Sequence, residues 1–291
     1  MVQPKIKIKF MQDIKIKDES IAASFMRAAV YDSAKFGHVI SMPKLNGLRC
    51  MYLPGQGFYS RDGKRWNDAV LAHITPPKTD YIIDGELYCH GMSLQSINSA
   101  VGVNRIYSGP NANKITFNAF DIVEPKFNAM TRMLLLDKIL REDRDSVGMY
   151  LIDWEICKSR IDLDKAYESY LDKNYEGQML KSVFGSYMPQ GEKERSTMNL
   201  QKRKAFLDAE FECIGRVMSD EGKCKGKMGA LKFITDRGVS FEVGTGFTDE
   251  EREEFIAPNY HFQKKATIKY LNLTDDGRPF NASFIGWRDD V

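Results

Sequence analysis

The sequence predicts an α+β protein of two domains, a mixed domain over residues 1–206 and a small β-barrel over residues 207–291. Three observations carry that expectation. Runs with period-two alternation, such as Lys5–Phe10, and strand-like apolar runs, such as Tyr81–Tyr88, recur through the first domain between turn residues. Only a few segments there have the spacing of amphipathic helices. Past Asp208 the chain turns to short strands divided by glycine or charged turns, the pattern of a small barrel.

The elements follow in order. Lys5-Ile6-Lys7-Ile8-Lys9-Phe10 reads as a half-buried strand or an edge strand guarded by lysines. Asp18-Glu19-Ser20 opens a helix that Ile21, Phe25, Met26 and Ala29 carry to Tyr31. Gly37–Ser41 and Leu48–Leu53 read as strands on either side of Pro43-Lys44-Leu45-Asn46-Gly47, which sets Lys44 near a turn. Gly57–Ser60 is a strand running into Arg61-Asp62-Gly63-Lys64, where Asp-Gly suits a tight turn. Tyr81–Tyr88 carries Asp84-Gly85-Glu86, Met92–Val101 is a short helix, and Ile115–Val123 is a strand with Asp121 near its end. Helices are expected over Thr131–Asp143 and Leu163–Lys173, then strands at Glu176–Lys181 and Leu200–Phe206. The second domain offers strands at Phe211–Val217, Ala230–Thr235, Val239–Val243 and Ala282–Trp287, and one acidic helix at Thr248–Phe255.

A chain of 291 residues with a net charge of +2 supports a sizeable core, and that charge by itself does not announce nucleic acid. The five cysteines are scattered, with no pair at metal-ligand spacing, so neither a disulfide framework nor a zinc finger is expected. No apolar run reaches ~18 residues, and residues 1–20 lack the apolar segment of a secretory signal. A cytoplasmic monomer, with no membrane partner, is the expectation.

Several residues can carry chemistry. Lys44 is either a solvated corner residue or a nucleophile, since only a neutral amine attacks phosphorus or carbonyl carbon. Gly47 lets the backbone approach a ligand, and Arg49 can clamp a phosphate with two bonds. Asp84 and Glu86 share one strand face, where they form a salt-bridged edge, bind a ribose hydroxyl or hold a hydrated metal. Phe117 reads as core, and Phe120 as core or as a platform for a base. Glu176 and Lys181 fall on opposite faces unless a turn intervenes, as surface groups or with Glu176 as a ligand for a hard cation. Lys202 and Lys204 share a face, either as a solvated basic edge or as a clamp on a phosphate chain. Lys223, Lys225 and Lys227 alternate in the loop Gly222–Gly229, which is either merely solvated or tracks along phosphates.

Taken in order, these motifs resemble those of the covalent nucleotidyltransferases, most closely the ATP-dependent DNA ligases in a minimal, viral or phage-like form. Lys44-Leu45-Asn46-Gly47-Leu48-Arg49 is similar to the family's Lys-x-Asp-Gly-x-Arg, and Ser60-Arg61-Asp62-Gly63 to its Ser-Arg-x-Gly. Asp84-Gly85-Glu86-Leu87, Phe120-Asp121-Ile122-Val123, Glu176–Lys181 and Lys202-Arg203-Lys204 continue the set, and Phe284–Asp290 resembles the ending of the ligase barrel. Two departures stand out. Asn46 replaces the family's aspartate, and Arg278 is the nearest match to its last arginine without a clean register.

The resemblance implies a nucleotidyltransferase (adenylation) domain of antiparallel sheets with flanking helices, followed by an OB-fold. It implies ATP with Mg2+ or Mn2+, nicked duplex DNA as substrate, and a lysyl-AMP on Lys44. Arg49, Lys202 and Lys204 join Lys44 as catalytic groups. Nucleotide contacts extend to Arg61, Glu86, Phe120, Lys181 and Arg278, metal contacts to Glu86 and Glu176, and DNA contacts to Lys223, Lys225 and Lys227. An RNA ligase or an mRNA-capping guanylyltransferase remains an alternative. So does a non-catalytic nucleic-acid-binding module, which Asn46 keeps open.

Overall fold

The computed structural model describes residues 18–32, 37–189, 197–257 and 265–288, with the side chains of residues 18–20 and 223 left aside. The expected strand at Lys5–Phe10 lies outside the described residues. The chain divides into two compact units between Arg203 and Lys204.

Among the described residues of the first unit the first element is a helix α1 (Asp18–Ser24), shorter than its apolar spacing suggests. The backbone leaves the helix because Phe25 and Met26 enter the core, Met26 N–H donates to Tyr187 Oη (3.1 Å), and β1 (Ala28–Val30) joins a sheet. Strands β2 (Val39–Lys44), β3 (Leu48–Leu53), β4 (Gly57–Ser60) and β5 (Ile83–Tyr88) follow. Then come α2 (Leu94–Val101), β6 (Thr116–Ile122), α3 (Ala129–Glu142), β7 (Met149–Leu151) and β8 (Glu155–Cys157). The unit closes with α4 (Arg160–Asp172), β9 (Gly177–Ser182) and β10 (Thr197–Lys204). Helix ends carry the expected chemistry: Ser93, Asn128 and Ser159 each accept a first-turn backbone N–H, and Ser159 and Asp162 form a reciprocal capping box.

These strands make two five-stranded sheets, ordered β1-β10-β9-β2-β8 and β4-β3-β5-β6-β7. The strands flanking Lys44 do not pair with each other. β2 hydrogen-bonds antiparallel to β9 and β8, whereas β3 pairs with β4 and β5. Leu45–Gly47 therefore crosses from one sheet to the other. On β2, Val39 and Ser41 face α4, where Ser41 Oγ meets Tyr170 and Gln178, while Ile40 and Met42 enter the main core. Lys44 shares the alternation of Ile40 and Met42.

The second sheet shows the same division. Ile83 and Leu87 pack with Ile97, Phe117 and Trp66, and Asp84 and Glu86 take the other face. Gly85 between them is sterically required, since a Cβ there would stand 2.4 Å from the Phe117 ring and 2.7 Å from Asn118 O. Phe117, read as core, is fully buried.

The second unit is a five-stranded antiparallel sheet. Its order is β13 (Ser240–Val243), β12 (Met228–Ile234), β11 (Leu207–Met218), β14 (Lys265–Tyr270), β17 (Ser283–Trp287). A two-stranded pair, β15 (Asn272–Leu273) with β16 (Pro279–Phe280), precedes β17. The outer strands form no full ladder among the described residues. Single bonds stitch that gap instead: Phe284 N–H donates to Thr245 O (2.9 Å) and Thr245 Oγ1 to Ala282 O (2.8 Å). Phe247, Phe255, Phe284 and Trp287 pack around α5 (Asp249–Glu254), and Phe233 and Phe241 fill the interior. Arg252 of α5 is buried and donates to the carbonyls of Met228, Gly229 and Gly244, tying the helix to β12 and to the end of β13. No helix among the described residues is long and apolar enough to cross a membrane.

Candidate active site

Lys44 ends β2 opposite Gly177 of β9, so the residue before Gly177 comes beside it. Glu176 N–H donates to Lys44 O (3.1 Å), and the Lys44 ammonium is ion-paired with the Glu176 carboxylate. Both side chains are mostly covered, at 18% and 14% exposure. Across the seam, Gly47 N–H donates to Glu86 Oε1 (2.7 Å). A Cβ on Gly47 would lie 2.3 Å from Leu87 O and 3.1 Å from Glu86 Cγ, so only glycine lets this crossing hug β5. Burial pushes the Glu86 carboxyl above its ordinary range; Lys44, the Gly47 N–H and Arg49 oppose that shift, and Glu176 adds to it.

Arg49 is held from β5. Its Nε and Nη2 donate to Asp84 at 2.7 and 2.5 Å, and Asp84 is fully buried. Tyr187 Oη donates to the same carboxylate (2.8 Å). Burial opposes the charge on Arg49, but Asp84 more than offsets it and holds the guanidinium protonated. The two-pronged grip anticipated for a phosphate is thus engaged by Asp84, and the guanidinium lies over the Phe120 ring at 4.6 Å.

Phe120 owes its position to a bulge. The β5–β6 ladder pairs Asp84 with Asp121 and Gly85 with Ala119, so Phe120 is the extra residue and its ring is re-aimed, half-exposed. Beneath it, Asp121 binds Arg132 (2.7 Å) and Lys181 (2.9 Å), all at most 2% exposed. Lys181 also donates to the Phe120 carbonyl. Its amine is therefore engaged by the frame under Phe120. Burial opposes the Asp121 charge, but Lys181 and Arg132 outweigh it and hold the carboxyl below the usual range.

The remaining residues fall in two groups. On β10, Arg203 pairs with Asp164 of α4 (2.6 Å) and lies over the Tyr167 ring at 3.9 Å. Alternation then sets Lys202 and Lys204 on the opposite face, the one to which Met179 and Lys181 of β9 also belong. Arg61 stands exposed in the turn after β4. Asn46 is half-buried, and its side chain makes no hydrogen bond among the described residues. In the second unit Lys225 is exposed, Lys227 pairs with Glu253 (2.6 Å) and Arg278 with Asp276 (2.9 Å). Lys223 is described by its backbone alone.

Lys44, Glu86 and Glu176 thus gather, with Arg49 and Phe120 beside them. Tyr187, Arg132 and the buried role of Asp84 escape sequence reasoning. Their partners lie far along the chain, and the only local signal is an aspartate at an otherwise apolar strand position. Among the described residues no group of three or more His, Cys, Asp or Glu gathers to hold a metal. Two carboxylates fit magnesium, which takes one or two from protein and fills its shell with water and phosphate oxygens.

Comparison with known proteins matches residues 221–288 to the model of the DNA ligase OB-like domain. No curated protein matches the chain by sequence. A solved Lig E DNA ligase, described as binding DNA with a minimal scaffold, is 24% identical over 91% of this chain and 98% of its own, with a TM-score of 0.75. A Chlorella virus DNA ligase-adenylate is 23% identical over 91% of this chain and 98% of that one, with a TM-score of 0.51. The ATP-dependent DNA ligase of bacteriophage T7, solved with ATP, is 15% identical over 92% of this chain and all of its own (100%), with a TM-score of 0.51. Residues 221–288 therefore match a DNA ligase OB-like domain, on a chain whose fold is that of solved DNA ligases.

Proposed function

We propose that this protein is an ATP-dependent DNA ligase that seals nicks in duplex DNA through a lysyl-AMP on Lys44. The observation that carries the reading is the seam itself: the Lys44 amine sits on the Glu176 carboxylate, with Glu86, Arg49 and Phe120 facing it from the other sheet. The amine attacks the α-phosphorus of ATP, forming a P–N bond as the P–O bond to pyrophosphate breaks. The adenylate then passes to the 5′-phosphate of a nick, and the 3′-hydroxyl attacks that phosphate with AMP leaving.

Each residue has a task in that sequence. Glu176 orients the Lys44 amine and must release it before attack. Phe120 stacks on adenine, and Arg49, fixed by Asp84, offers its remaining edge to ribose or phosphate. Lys202 and Lys204 stabilise charge developing on the α-phosphate. Arg61 meets the nick phosphate, and Arg278 is the candidate contact to ATP in the second unit. Glu86 and Glu176 would hold magnesium, which neutralises phosphate charge and favours loss of the lysine proton. Lys223, Lys225 and Lys227 meet DNA phosphates.

The DNA ligase OB-like domain at 221–288 favours DNA over RNA ends or caps as the acceptor. The test is incubation with labelled ATP, GTP or NAD. Label from ATP alone, lost in Lys44→Ala, is expected, and that variant still seals a nick adenylated beforehand. Normal labelling of Lys44→Ala would remove the nucleophile and with it the reading.

A further inference from the structure

Beyond Glu86, the face of β5 that carries Asp84 and Glu86 continues through Tyr88 towards His90 in the turn that follows. Tyr88 is buried, and its hydroxyl lies 2.8 Å from His90 Nδ1. The exposed imidazole rests on the Tyr175 ring, centroids 4.8 Å apart and planes at 57°. Tyr175 directly precedes Glu176, so the imidazole is held between the end of β5 and the segment leading into β9, at one end of the row that holds Glu86, Lys44 and Glu176. The Tyr88 hydroxyl has no other hydrogen-bond partner among the described residues, so donation to Nδ1 is the arrangement that uses its proton. Burial first, with Tyr175, Cys89 and Glu86 adding, keeps that phenol protonated. An Nδ1 that accepts leaves the proton on Nε2. A doubly protonated ring carries it there too, so Nε2–H is a donor in either state.

We propose that His90 is a substrate-contacting residue whose Nε2–H donates to a phosphate oxygen at this end of the row, with Tyr88 and Tyr175 fixing its ring. This rests on the ligase reading for the identity of the phosphate, which belongs either to the leaving pyrophosphate of ATP or to a strand of the nicked duplex. A donor to an anionic oxygen contributes roughly ten- to hundredfold in affinity. The aromatic clamp pre-pays the ordering of the side chain, so little of that gain is lost to entropy.

Two substitutions separate the donor from the packing. His90→Asn keeps a polar group near Nδ1 and lacks a donor at the Nε2 position, whereas His90→Gln restores one there. In one arm, equilibrium ATP binding and single-turnover labelling of Lys44 are measured; in the other, binding and sealing of a nick carrying a preformed 5′-adenylate. His90→Asn is expected to weaken one arm by about tenfold or more, and His90→Gln to stay within about threefold of wild type. Loss in the ATP arm assigns the pyrophosphate, and loss in the DNA arm assigns a strand phosphate. Equal loss in both variants, or none in either, overturns the proposal.

A direct readout uses protein labelled with 15N-histidine, in which four histidines give resolvable rings. The His90 Nε2–H signal, identified by its absence in His90→Gln, should shift on addition of inorganic pyrophosphate or of 5′-phosphorylated nicked duplex. No shift with either sinks the proposal. A wild-type protein that shows the shift but neither labels nor seals would instead sink the ligase reading and leave the phosphate contact standing.

Discussion

Asp121→Asn is the substitution most damaging to the frame under Phe120. Asp121 lies between two cations at 2.7 and 2.9 Å in a site with no exposure to speak of. At an effective dielectric of about 20, each attraction is worth about 6 kcal/mol before desolvation is subtracted. Removing the carboxylate leaves Arg132 and Lys181 buried, mutually repelling and short of an acceptor, and breaking such a group costs about 3–5 kcal/mol. For a unit of this size each kcal/mol moves the midpoint by about 2–4 °C, so a fall of roughly 6–20 °C is expected in calorimetry. Replacing all three residues with apolar ones of similar volume should recover most of the loss. The pH dependence has a definite sign. The folded carboxyl is held below its ordinary range, so its stabilisation is complete above the unfolded value near 3.8 and fades as pH falls towards the folded value. Asp121→Asn should lack that part of the acid transition. A midpoint shift of less than about 3 °C would refute the claim that the triad depends on its one anion.

Other outcomes follow from the same geometry. Gly47→Ala forces a Cβ to 2.3 Å from Leu87 O, so the seam must open; labelling of Lys44 should drop by about a hundredfold or more with the circular dichroism spectrum unchanged. Wild-type-like labelling would mean that the crossing adapts freely. Glu86, raised by burial, should impose an acid limb on adenylation above the ordinary Glu value of 4.5, and Glu86→Gln should flatten that limb at a lower rate. With a folded value above the unfolded one, ionised Glu86 works against stability at neutral pH, so Glu86→Gln should unfold no earlier than wild type there. Alanine at Lys223, Lys225 and Lys227 should reduce the log–log salt slope of nicked-DNA binding by ~0.9 for each phosphate left unneutralised and leave self-adenylation intact. An unchanged slope would make the loop a solvated one.

Much of the fold was legible because it was written locally. The alternation along β5 set Asp84 and Glu86 on one face, as the structure has them, whereas Glu176 lies just before β9 and its carboxylate reaches Lys44, on the face to which Lys181 also belongs. The capped helices α3, α4 and α5 lie within a few residues of their predicted spans. The misses share a cause: their determinants are distant in sequence. Nothing near Lys44 shows that β2 will pair with β9 and β8 rather than with β3. Nothing near Ser24 shows that a parallel partner, β10, waits for Ala28–Val30. Lys181 reads as a surface group because lysine usually is one, and only Asp121 and Phe120 O, some sixty residues upstream, make its burial tolerable. The strand Lys265–Tyr270 is a different kind of miss, because its alternation, with Ala266, Ile268 and Tyr270 buried, is clean and local.

The crossing at Leu45–Gly47 also has a mechanical consequence. The groups assigned to chemistry are mounted on two separate plates, Lys44 and Glu176 on one, Arg49, Glu86 and Phe120 on the other, with a three-residue strap between them at this point. A molecule that touches both plates is a brace. Part of its binding free energy then appears as stiffness, readable as slowed exchange of the Gly47 amide hydrogen, whose acceptor is Glu86 on the opposite plate. A compound gripping only one plate can fill the same volume and leave that hydrogen exchanging as before. Amide exchange at a single glycine would therefore rank ligands by whether they span the seam, independently of how tightly they bind.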